Sequence, residues 1–336
     1  MKKQNFKSLT LAMAIMGTLG VANAQAPVAA NPVPAVPQAQ ASAPTTPAQV
    51  AAPKSEVSET AKNEKTLDRI RRTNKIVIGN RSSSIPFSYY GENKKPIGYA
   101  IDICLNIAET IKKQYNLPTA KIEFVEVRGD TRIPFVEDGK VDLECGSTTN
   151  NADRRKRVDF SIPYYVAGVK ILARKSEGIE SITDIKGKKV AVGKGTSTIK
   201  IVERLNKERL LNLSTIEEKD FPSAMQAVVE KRADIFILDD ILLYGERSKV
   251  AEPDKYIVTN DFLSVEPLAV MMKKGDVEIN KVVNKKIVEM INNGEINKLY
   301  AKWFQSPIYP TNKSLNIAPD ALLTEVFRMP THIVGN

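Results

Sequence analysis

The sequence contains a single histidine, His332, which is the fifth residue from the C-terminal end of the 336. A Ser-His-Asp triad, a Cys-His catalytic pair and a histidine-based zinc site all need a histidine beside other reactive side chains, so this scarcity argues against each of them. The chain also lacks a G-x-S-x-G motif, a C-x-x-C pair and a clear cluster of metal ligands. We therefore expect no enzyme of these classes, no cofactor and no bound metal.

No hydrophobic run reaches the length of about 20 residues that a membrane-spanning helix needs. The N-terminal apolar stretch, residues 9–21, has 13 residues; three lysines precede it and an Ala-Asn-Ala signal follows it at 22–24. This pattern predicts a cleavable signal peptide over residues 1–24 and a periplasmic protein, with an uncleaved anchor as the alternative. Residues 25–53 carry no charge, 10 alanines and 7 prolines, a composition typical of a disordered tether, which we extend to residue 64.

Acidic residues are fewer than basic residues, 39 against 49, which gives a formal net charge of +10. Removal of three signal-peptide lysines lowers the charge from +10 to +7, and the remaining basic residues form no stripe interleaved with aromatics. That distribution argues against a nucleic-acid partner. Only two cysteines are present, Cys104 on an apolar helical face and Cys145 in a predicted strand. The sequence is compatible with a disulfide between them and equally with two buried free thiols.

From about Leu67 onward, short β-type runs alternate with helical patterns, which predicts an α/β fold with largely parallel sheets. The predicted strands cover residues 75–79, 121–127, 141–145, 169–173, 189–192, 234–238 and 268–272, and the predicted helices cover 100–113, 133–137, 198–211 and 277–292. In an open sheet of this kind, ligands bind beyond the carboxyl ends of the strands. Polar residues directly after these strands are therefore the first candidates for a binding site.

Two polar segments follow predicted strands. In the first, Ser147 and Thr149 come directly after residues 141–145, with Arg154 five positions beyond Thr149. Hydroxyl groups and an arginine can together hold a carboxylate. In the second, Thr196 and Ser197 open a helix, where backbone N–H groups and the helix dipole favour an anion, although simple N-capping is the more common role of such residues.

Three charged residues complete the candidate set taken from the residues alone. Asp239 follows the strand 234–238 and offers a negative charge to an ammonium group. Arg81 follows the first strand, and Arg132 precedes a proline-containing turn. The ordinary alternative for each arginine is a surface position.

Taken together, these segments resemble the periplasmic substrate-binding proteins of amino-acid ABC transporters, and most closely the glutamate/aspartate-binding branch. The resemblance is carried by residues 79–90 (GNRSSSIPFSYY), 98–99 (GY) with Asp102, 132–134 (RIP), 144–151 (ECGSTTNN) with Arg154, 159–161 (DFS), 186–188 (KGK), 238–240 (LDD) through 245–247 (GER), 302–304 (KWF), and 307–310 (PIYP) with 315–316 (LN). It covers about residues 65–330, and the run 144–151 is highly specific.

This resemblance implies a type II periplasmic binding protein, in which two α/β lobes are joined by two hinge strands. Lobe 1 would comprise residues 65–165 plus 267–310, lobe 2 would comprise residues 166–266, and residues 311–336 would form a C-terminal extension. The lobes would close over the ligand by hinge motion. The resemblance also implies a monomer whose partner is an inner-membrane ABC permease.

The resemblance further implies a role for each site residue. The implied roles are Arg154 with Thr149 for the α-carboxylate, Ser147 with Asp239 for the α-ammonium, Arg81 with Arg132 for the side-chain carboxylate, Thr196 with Ser197 for completing the cage from lobe 2, and Phe87 for packing on the aliphatic part of the ligand. Three arginines and one aspartate match a ligand with two negative charges and one positive charge. A neutral ligand would leave an arginine buried and unpaired, at a cost of about 3–5 kcal/mol, or about two to three decades in affinity.

Two positions depart from that branch: Gly129 stands where a serine is expected, and Phe221 stands where a histidine is expected. Both would touch the side-chain end of the ligand, so the pocket would lose two donors, and the preference between glutamate and aspartate stays open. The expected function is capture of L-glutamate or L-aspartate and delivery to the permease. The alternatives are a periplasmic enzyme on the same fold, similar to cyclohexadienyl dehydratase, and a solute receptor that feeds a chemosensor or binds a different acidic solute.

Overall fold

The computed structural model describes residues 64–331, so the predicted signal peptide, the predicted tether up to residue 63, and His332 lie outside the described residues. The strands within 64–331 are β1 (Lys75–Asn80), β2 (Ser83–Ser84), β3 (Ser88–Tyr90), β4 (Pro96–Ile97), β5 (Lys121–Glu126), β6 (Leu143–Glu144), β7 (Val158–Phe160), β8 (Tyr165–Arg174), β9 (Lys189–Gly193), β10 (Ser214–Glu218), β11 (Ile235–Asp239), β12 (Tyr256–Val258), β13 (Ser264–Leu268) and β14 (Met271–Lys273).

The helices alternate with these strands as the sequence pattern predicts. They are α1 (Thr66–Thr73), α2 (Tyr99–Gln114), α3 (Arg132–Glu137), α4 (Ala152–Arg155), α5 (Thr198–Arg209), α6 (Phe221–Val229), α7 (Asp240–Arg247), α8 (Val277–Asn292), α9 (Glu295–Tyr300) and α10 (Ala321–Arg328). A π-helical turn, Ala301–Gln305, follows α9. No helix in the described part of the chain has the length and apolar character that crossing a bilayer requires.

The first sheet has five strands in the order β5-β1-β6-β14-β7. β1 runs parallel to β5 and to β6, whereas β14 runs antiparallel to β6 and to β7. Helix α2 packs against β1, and α8 packs against α2, so this face of the sheet is covered by an apolar helical layer. A small antiparallel sheet, β2-β3-β4, lies beside the N-terminal end of α2.

The second sheet has the strand order β10-β9-β11-β8-β12, and β13 also pairs with β8. β9 runs parallel to β10 and β11, but β8 runs antiparallel to β11, β12 and β13. Both sheets are therefore mixed, and the prediction of largely parallel sheets is wrong. The antiparallel members belong to segments that pass directly from one sheet to the other, without the crossover helix on which parallel pairing depends.

The chain passes between the two sheets at two places. It enters β8 from β7 through residues 161–164, and it returns from β13 to β14 through residues 269–270. Residues 165–168 pair with residues 265–268, so the two passing segments lie side by side. The prediction of one strand over residues 268–272 is wrong, because Leu268 pairs within the second sheet while Met271–Lys273 joins the first.

The two cysteines form a disulfide, which settles the question that the sequence leaves open. Cys104 lies on the buried face of α2, and Cys145 comes directly after β6; their Cα atoms are 6.3 Å apart. The bond therefore ties α2 to the end of a central strand. The polar run 146–150 begins at the next residue, so the disulfide anchors the segment that supplies several predicted site residues.

Some of the motifs that carry the family resemblance prove to be structural. The Oδ2 atom of Asp102 on α2 accepts hydrogen bonds from Lys302 Nζ and from Trp303 Nε1, each at 2.7 Å. These contacts hold the turn after α9 against α2. Asp102 and residues 302–304 therefore fix the packing of the C-terminal helices.

Candidate functional site

Polar contacts between segments of the two sheets bring four of the predicted site residues together. Arg132 Nη2 and Arg154 Nη2 both donate to the carbonyl oxygen of Gly195, at 3.4 and 3.5 Å. Thr149 Oγ1 lies 3.4 Å from Ser197 Oγ. Since Gly195 and Ser197 lie between β9 and α5, these contacts join the loops of the second sheet to those of the first.

Local hydrogen bonds fix the positions of the two arginines. Arg154 Nη1 donates to the carbonyl oxygen of Thr149 at 3.0 Å, and the Asn151 side chain caps α4 by accepting from the backbone N–H of Arg154. Arg132 Nη1 donates to Thr148 Oγ1 at 2.8 Å. Thr148 is fully buried and is missing from the predicted set, although it lies inside the specific run 144–151.

Two contacts fix the position of Arg81, one with Ser88 and one with Phe221. It follows β1 directly, and its backbone N–H donates to Ser88 Oγ at 2.9 Å. Its guanidinium carbon lies 5.2 Å from the ring centroid of Phe221, a cation–π contact that stabilises by about 0.5–2 kcal/mol. Phe221, the residue that stands where a histidine is expected, therefore packs on the face of an arginine.

The three site arginines are buried and form no salt bridge with a carboxylate of residues 64–331. Within residues 64–331, none of them forms a salt bridge, and Arg81 Nη1 and Arg132 Nε are buried without a hydrogen-bond partner. Burial, together with the like charge of Arg132, lowers the pKa of Arg81 to about 10 and that of Arg154 to about 9. Burial also lowers the pKa of Arg132. Cations held in this state are stabilised strongly by an anionic ligand.

Asp239 supplies a negative charge to the same cluster. It ends β11 and is buried. Burial, and then the like charges of Glu266 and Asp240, raise the pKa of Asp239 well above its usual range, whereas Arg154 and Arg132 oppose this change. A bound cation would restore the charged carboxylate, so Asp239 is suited to an ammonium group.

The predicted hydroxyl residues differ in the contacts that they make. Ser147 Oγ donates to Ser84 Oγ at 3.3 Å, and Thr196 Oγ1 donates to the carbonyl oxygen of Gly193 at 2.7 Å. Ser197 directly precedes α5, but its side chain makes no capping hydrogen bond. Simple N-capping therefore does not explain Ser197, whose hydroxyl lies beside Thr149 instead.

Phe87 is the predicted site residue that lies apart from these polar contacts. Its ring is fully buried, with centroids 5.0 Å from Tyr165 and 5.8 Å from Phe304, and it also neighbours Tyr99 and Tyr164. The structure thus places Phe87 in an aromatic cluster of the core. Its packing against a ligand stays a prediction.

Two glycines meet where the loops of the two sheets touch. A Cβ atom on Gly129 would lie 2.3 Å from the carbonyl oxygen of Lys194, and one on Gly195 would lie 2.6 Å from the backbone nitrogen of Asp130. Gly195 also has a φ of +72°, which favours glycine. Gly129, which stands where a serine is expected, is therefore explained by this close approach of two backbones.

Replacing Gly129 by alanine is expected to weaken ligand binding about tenfold, because the added methyl group forces the two loops apart at a cost of about 1–3 kcal/mol. Titration calorimetry with glutamate, the ligand that the family resemblance implies, would measure the affinity. Gly178→Ala is the control, since nothing lies within 4 Å of a Cβ there; it should lower stability and leave affinity unchanged. Unchanged affinity in Gly129→Ala would show that ligand binding does not depend on the close approach of these two loops, which would contradict the prediction.

Two buried carboxylates that the sequence patterns miss change the charge balance of the site. Glu144 ends β6, and neither of its oxygens has a hydrogen-bond partner among the described residues. Glu266 lies in β13; one oxygen accepts from Ser264 Oγ at 2.8 Å, and the other is buried without a partner in residues 64–331. With Asp239, these make three carboxylates beside three arginines. The count of three arginines against one aspartate therefore omits two carboxylates whose charges act on these arginines.

An open cleft of about 670 Å³ lies apart from the arginine cluster, against the C-terminal segment. Its lining includes Lys170, Asp240 and Asp320 but no predicted site residue, and Lys170 Nζ lies 3.9 Å from Asp240 Oδ2. We place the functional site at the arginine cluster because buried polar atoms of Arg81, Arg132 and Glu144 have no hydrogen-bond partner in the described part of the chain. In the described residues, no group of three or more His, Cys, Asp or Glu side chains is arranged to hold a metal ion.

Comparison with known proteins adds independent evidence. The model of the bacterial extracellular solute-binding proteins, family 3, matches residues 76–306. The chain is 40% identical over 267 residues to the L-glutamate/L-aspartate-binding protein of Pseudomonas aeruginosa, a match that covers 79% of this chain and 88% of that protein. It is 35% identical over 265 residues to the glutamate/aspartate import solute-binding protein of Escherichia coli K12, with the same coverage of 79% and 88%.

A solved structure gives a matching fold. It is an ancestral amino-acid-binding protein described as a precursor of cyclohexadienyl dehydratase. The TM-score is 0.61 at 33% identity, and the match covers 71% of this chain and 99% of that one.

Proposed function

Since the chain belongs to the family 3 bacterial extracellular solute-binding proteins, we propose that it captures L-glutamate and L-aspartate outside the cytoplasm and delivers them to an inner-membrane ABC permease. The observation that carries this proposal is the cluster of three buried arginines that form no salt bridge among the described residues, two of which have a buried N–H group without a hydrogen-bond partner there. Two relatives at 40% and 35% identity, named for glutamate and aspartate, support the same ligand class. The predicted signal peptide would deliver the protein to the periplasm.

The proposed ligand satisfies the groups that the cluster leaves open. Its α-carboxylate would bind to Arg154 and Thr149, and its α-ammonium group would bind to Asp239 and Ser147. Its side-chain carboxylate would bind between Arg81 and Arg132, whose buried N–H groups have no partner among residues 64–331. Thr196 and Ser197 would complete the cage from the second sheet.

We propose that binding couples to hinge closure of two lobes, residues 65–165 plus 267–310 and residues 166–266. The side-by-side segments 165–168 and 265–268, which join the two sheets, would serve as the hinge strands. Contacts of Arg132 and Arg154 with the Gly195 carbonyl support a closed arrangement. The protein would act as a monomer, with residues 311–336 as a C-terminal extension.

We propose a binding role rather than catalysis. The periplasmic enzyme alternative needs a general acid or base at the reacting atoms, and Asp239 with its raised pKa is the group that would have to serve. In the proposed complex Asp239 faces the α-ammonium group of the ligand, and no bond of that group is formed or broken. NMR of glutamate after prolonged incubation with the protein should return the ligand unchanged, and a new product would favour the enzyme.

A thermal-shift screen of the twenty amino acids tests the proposed ligand. A ligand at about a hundred times its dissociation constant adds about 2.7 kcal/mol to the free energy of unfolding, which corresponds to a rise in Tm of about 5–10 °C. We expect this rise for glutamate and aspartate, and little change for glutamine and asparagine. A screen in which the two acidic amino acids give no shift would overturn the specificity.

Binding of glutamate is expected to release a proton from Asp239. Burial raises the pKa of this carboxyl group in the free protein, and the ammonium group stabilises the charged form, so affinity should increase with pH through that raised pKa. Calorimetry in buffers of different ionisation enthalpy measures the proton release. Glutarate, which lacks the ammonium group, is the control and should release none; equal proton counts for both ligands would contradict the assignment of Asp239.

A further inference from the structure

Glu144 is a buried carboxylate at the centre of the first sheet with no role in the proposed binding scheme. It pairs with Gly79 of β1 and with Met271 of β14 and is inaccessible to solvent. Neither of its oxygens has a hydrogen-bond partner in residues 64–331. Burying a carboxylate in this way is costly, so its presence calls for a compensating interaction.

The compensating charges are the two arginines at the side-chain end of the site. A Cβ atom on Gly146 would lie 2.5 Å from Glu144 Oε1 and 2.7 Å from Arg81 Cγ. Glu144 Oε1 and Arg81 Cγ are therefore at most 5.2 Å apart. Among the carboxylates that act on Arg81 and on Arg132, Glu144 has the largest influence on each. Its charge also acts on Arg154, where Glu266 has the larger influence, and on Tyr164.

We propose that Glu144 is a specificity-determining residue. Its negative charge lowers the charge at the side-chain end of the site from +2, carried by Arg81 and Arg132, to a net +1. That charge matches one carboxylate of the ligand. A doubly charged group would place its second negative charge against Glu144 with no further cation to pair with it. This inference rests on the proposed function. It adds that the site distinguishes acidic ligands by the charge of their side chains.

The test compares L-glutamate with O-phospho-L-serine, whose phosphate carries a charge of about −1.5 to −2 at pH 7. Calorimetry gives the ratio of the two dissociation constants, and the larger size of the phosphate cancels when the same two ligands are compared between variants. Wild-type protein should favour glutamate. Glu144→Gln should shift the ratio toward phosphoserine by about tenfold to a hundredfold, the size expected for charges several ångströms apart at an effective dielectric constant of about 20.

Glu266→Gln is the matched control, because it removes a second buried carboxylate that acts on Arg154 rather than on Arg81. It should change both affinities in the same proportion and leave the ratio unmoved. An unmoved ratio in Glu144→Gln, or an equal shift in both variants, would overturn the inference. Wild-type protein that binds neither glutamate nor aspartate would overturn the proposed function instead.

A double variant covers the case in which Glu144→Gln fails to fold. Adding Arg132→Gln removes one cation together with the anion, which restores the net charge of +1 at this end of the site and keeps the contact of Arg81 with Phe221. The double variant should unfold at a higher temperature than Glu144→Gln alone. A double variant no more stable than the single one would contradict the charge balance that the inference requires.

Discussion

Arg154→Ala is expected to abolish binding of every amino acid. The α-carboxylate is common to all of them, and Arg154 is the buried cation assigned to it, held in place by the Thr149 carbonyl and by the cap of α4. Removing one partner of a buried ion pair costs about 3–5 kcal/mol, or about two to four decades in affinity. Titration calorimetry with glutamate, aspartate and glutamine would measure this loss.

Arg157→Ala is the control for that experiment. Arg157 lies three residues further along the chain, is exposed, and bonds through Nε to Glu137 at 2.7 Å on the surface. Surface pairs of this kind are worth about 0–1 kcal/mol, so affinity should not change. Thermal unfolding without ligand would show that both variants are folded, and retained micromolar binding in Arg154→Ala would refute the assignment.

Arg132→Ala and Arg81→Ala are expected to weaken glutamate and aspartate selectively, by about two to three decades. Both residues are assigned to the side-chain carboxylate, and each has a buried N–H group without a partner among the described residues. An amino acid with an uncharged side chain does not need that pair of cations. In each variant, the affinity for glutamate should therefore approach the affinity for glutamine.

Arg128→Ala provides the comparison, because Arg128 is exposed, lies four residues before Arg132, and contacts Asp130 at 3.3 Å. It should bind glutamate as the wild-type protein does. An equal loss of affinity for glutamate and glutamine in Arg132→Ala would contradict the division of the site into two ends. The Arg81→Ala variant also loses the cation–π contact with Phe221, so its effect should include a loss of stability of about 0.5–2 kcal/mol.

The local elements follow closely from the sequence. The helix predicted over 277–292 is α8, and the helix predicted over 100–113 is α2 with one residue added at each end. Apolar residues at helical spacing report which face of a helix is buried, and that pattern is local. The type II fold implied by the family resemblance is confirmed by the family match and by the matching solved structure.

The pairing of the strands, in contrast to the helices, does not follow from the sequence pattern. Residues 268–272 are apolar throughout, so nothing in them shows where the chain leaves one sheet for the other. The direction of pairing depends on which distant strand lies alongside, as with β8 and β13, which are about a hundred residues apart in the chain. Hydrophobic pattern cannot encode that choice, and the prediction of largely parallel sheets failed for this reason.

By itself, the sequence determined the alternating elements, the class of binding protein that they resemble, and the arginines and hydroxyls that could hold an acidic ligand. The tertiary structure alone decided which charges face one another. The scarcity of histidine removed one donor, but Phe221 fills that position by packing on Arg81, and the two cysteines pair. Glu144 and Glu266 enter the charge balance because strands distant in sequence carry them to the arginines, and electrostatic energy depends on distance in space.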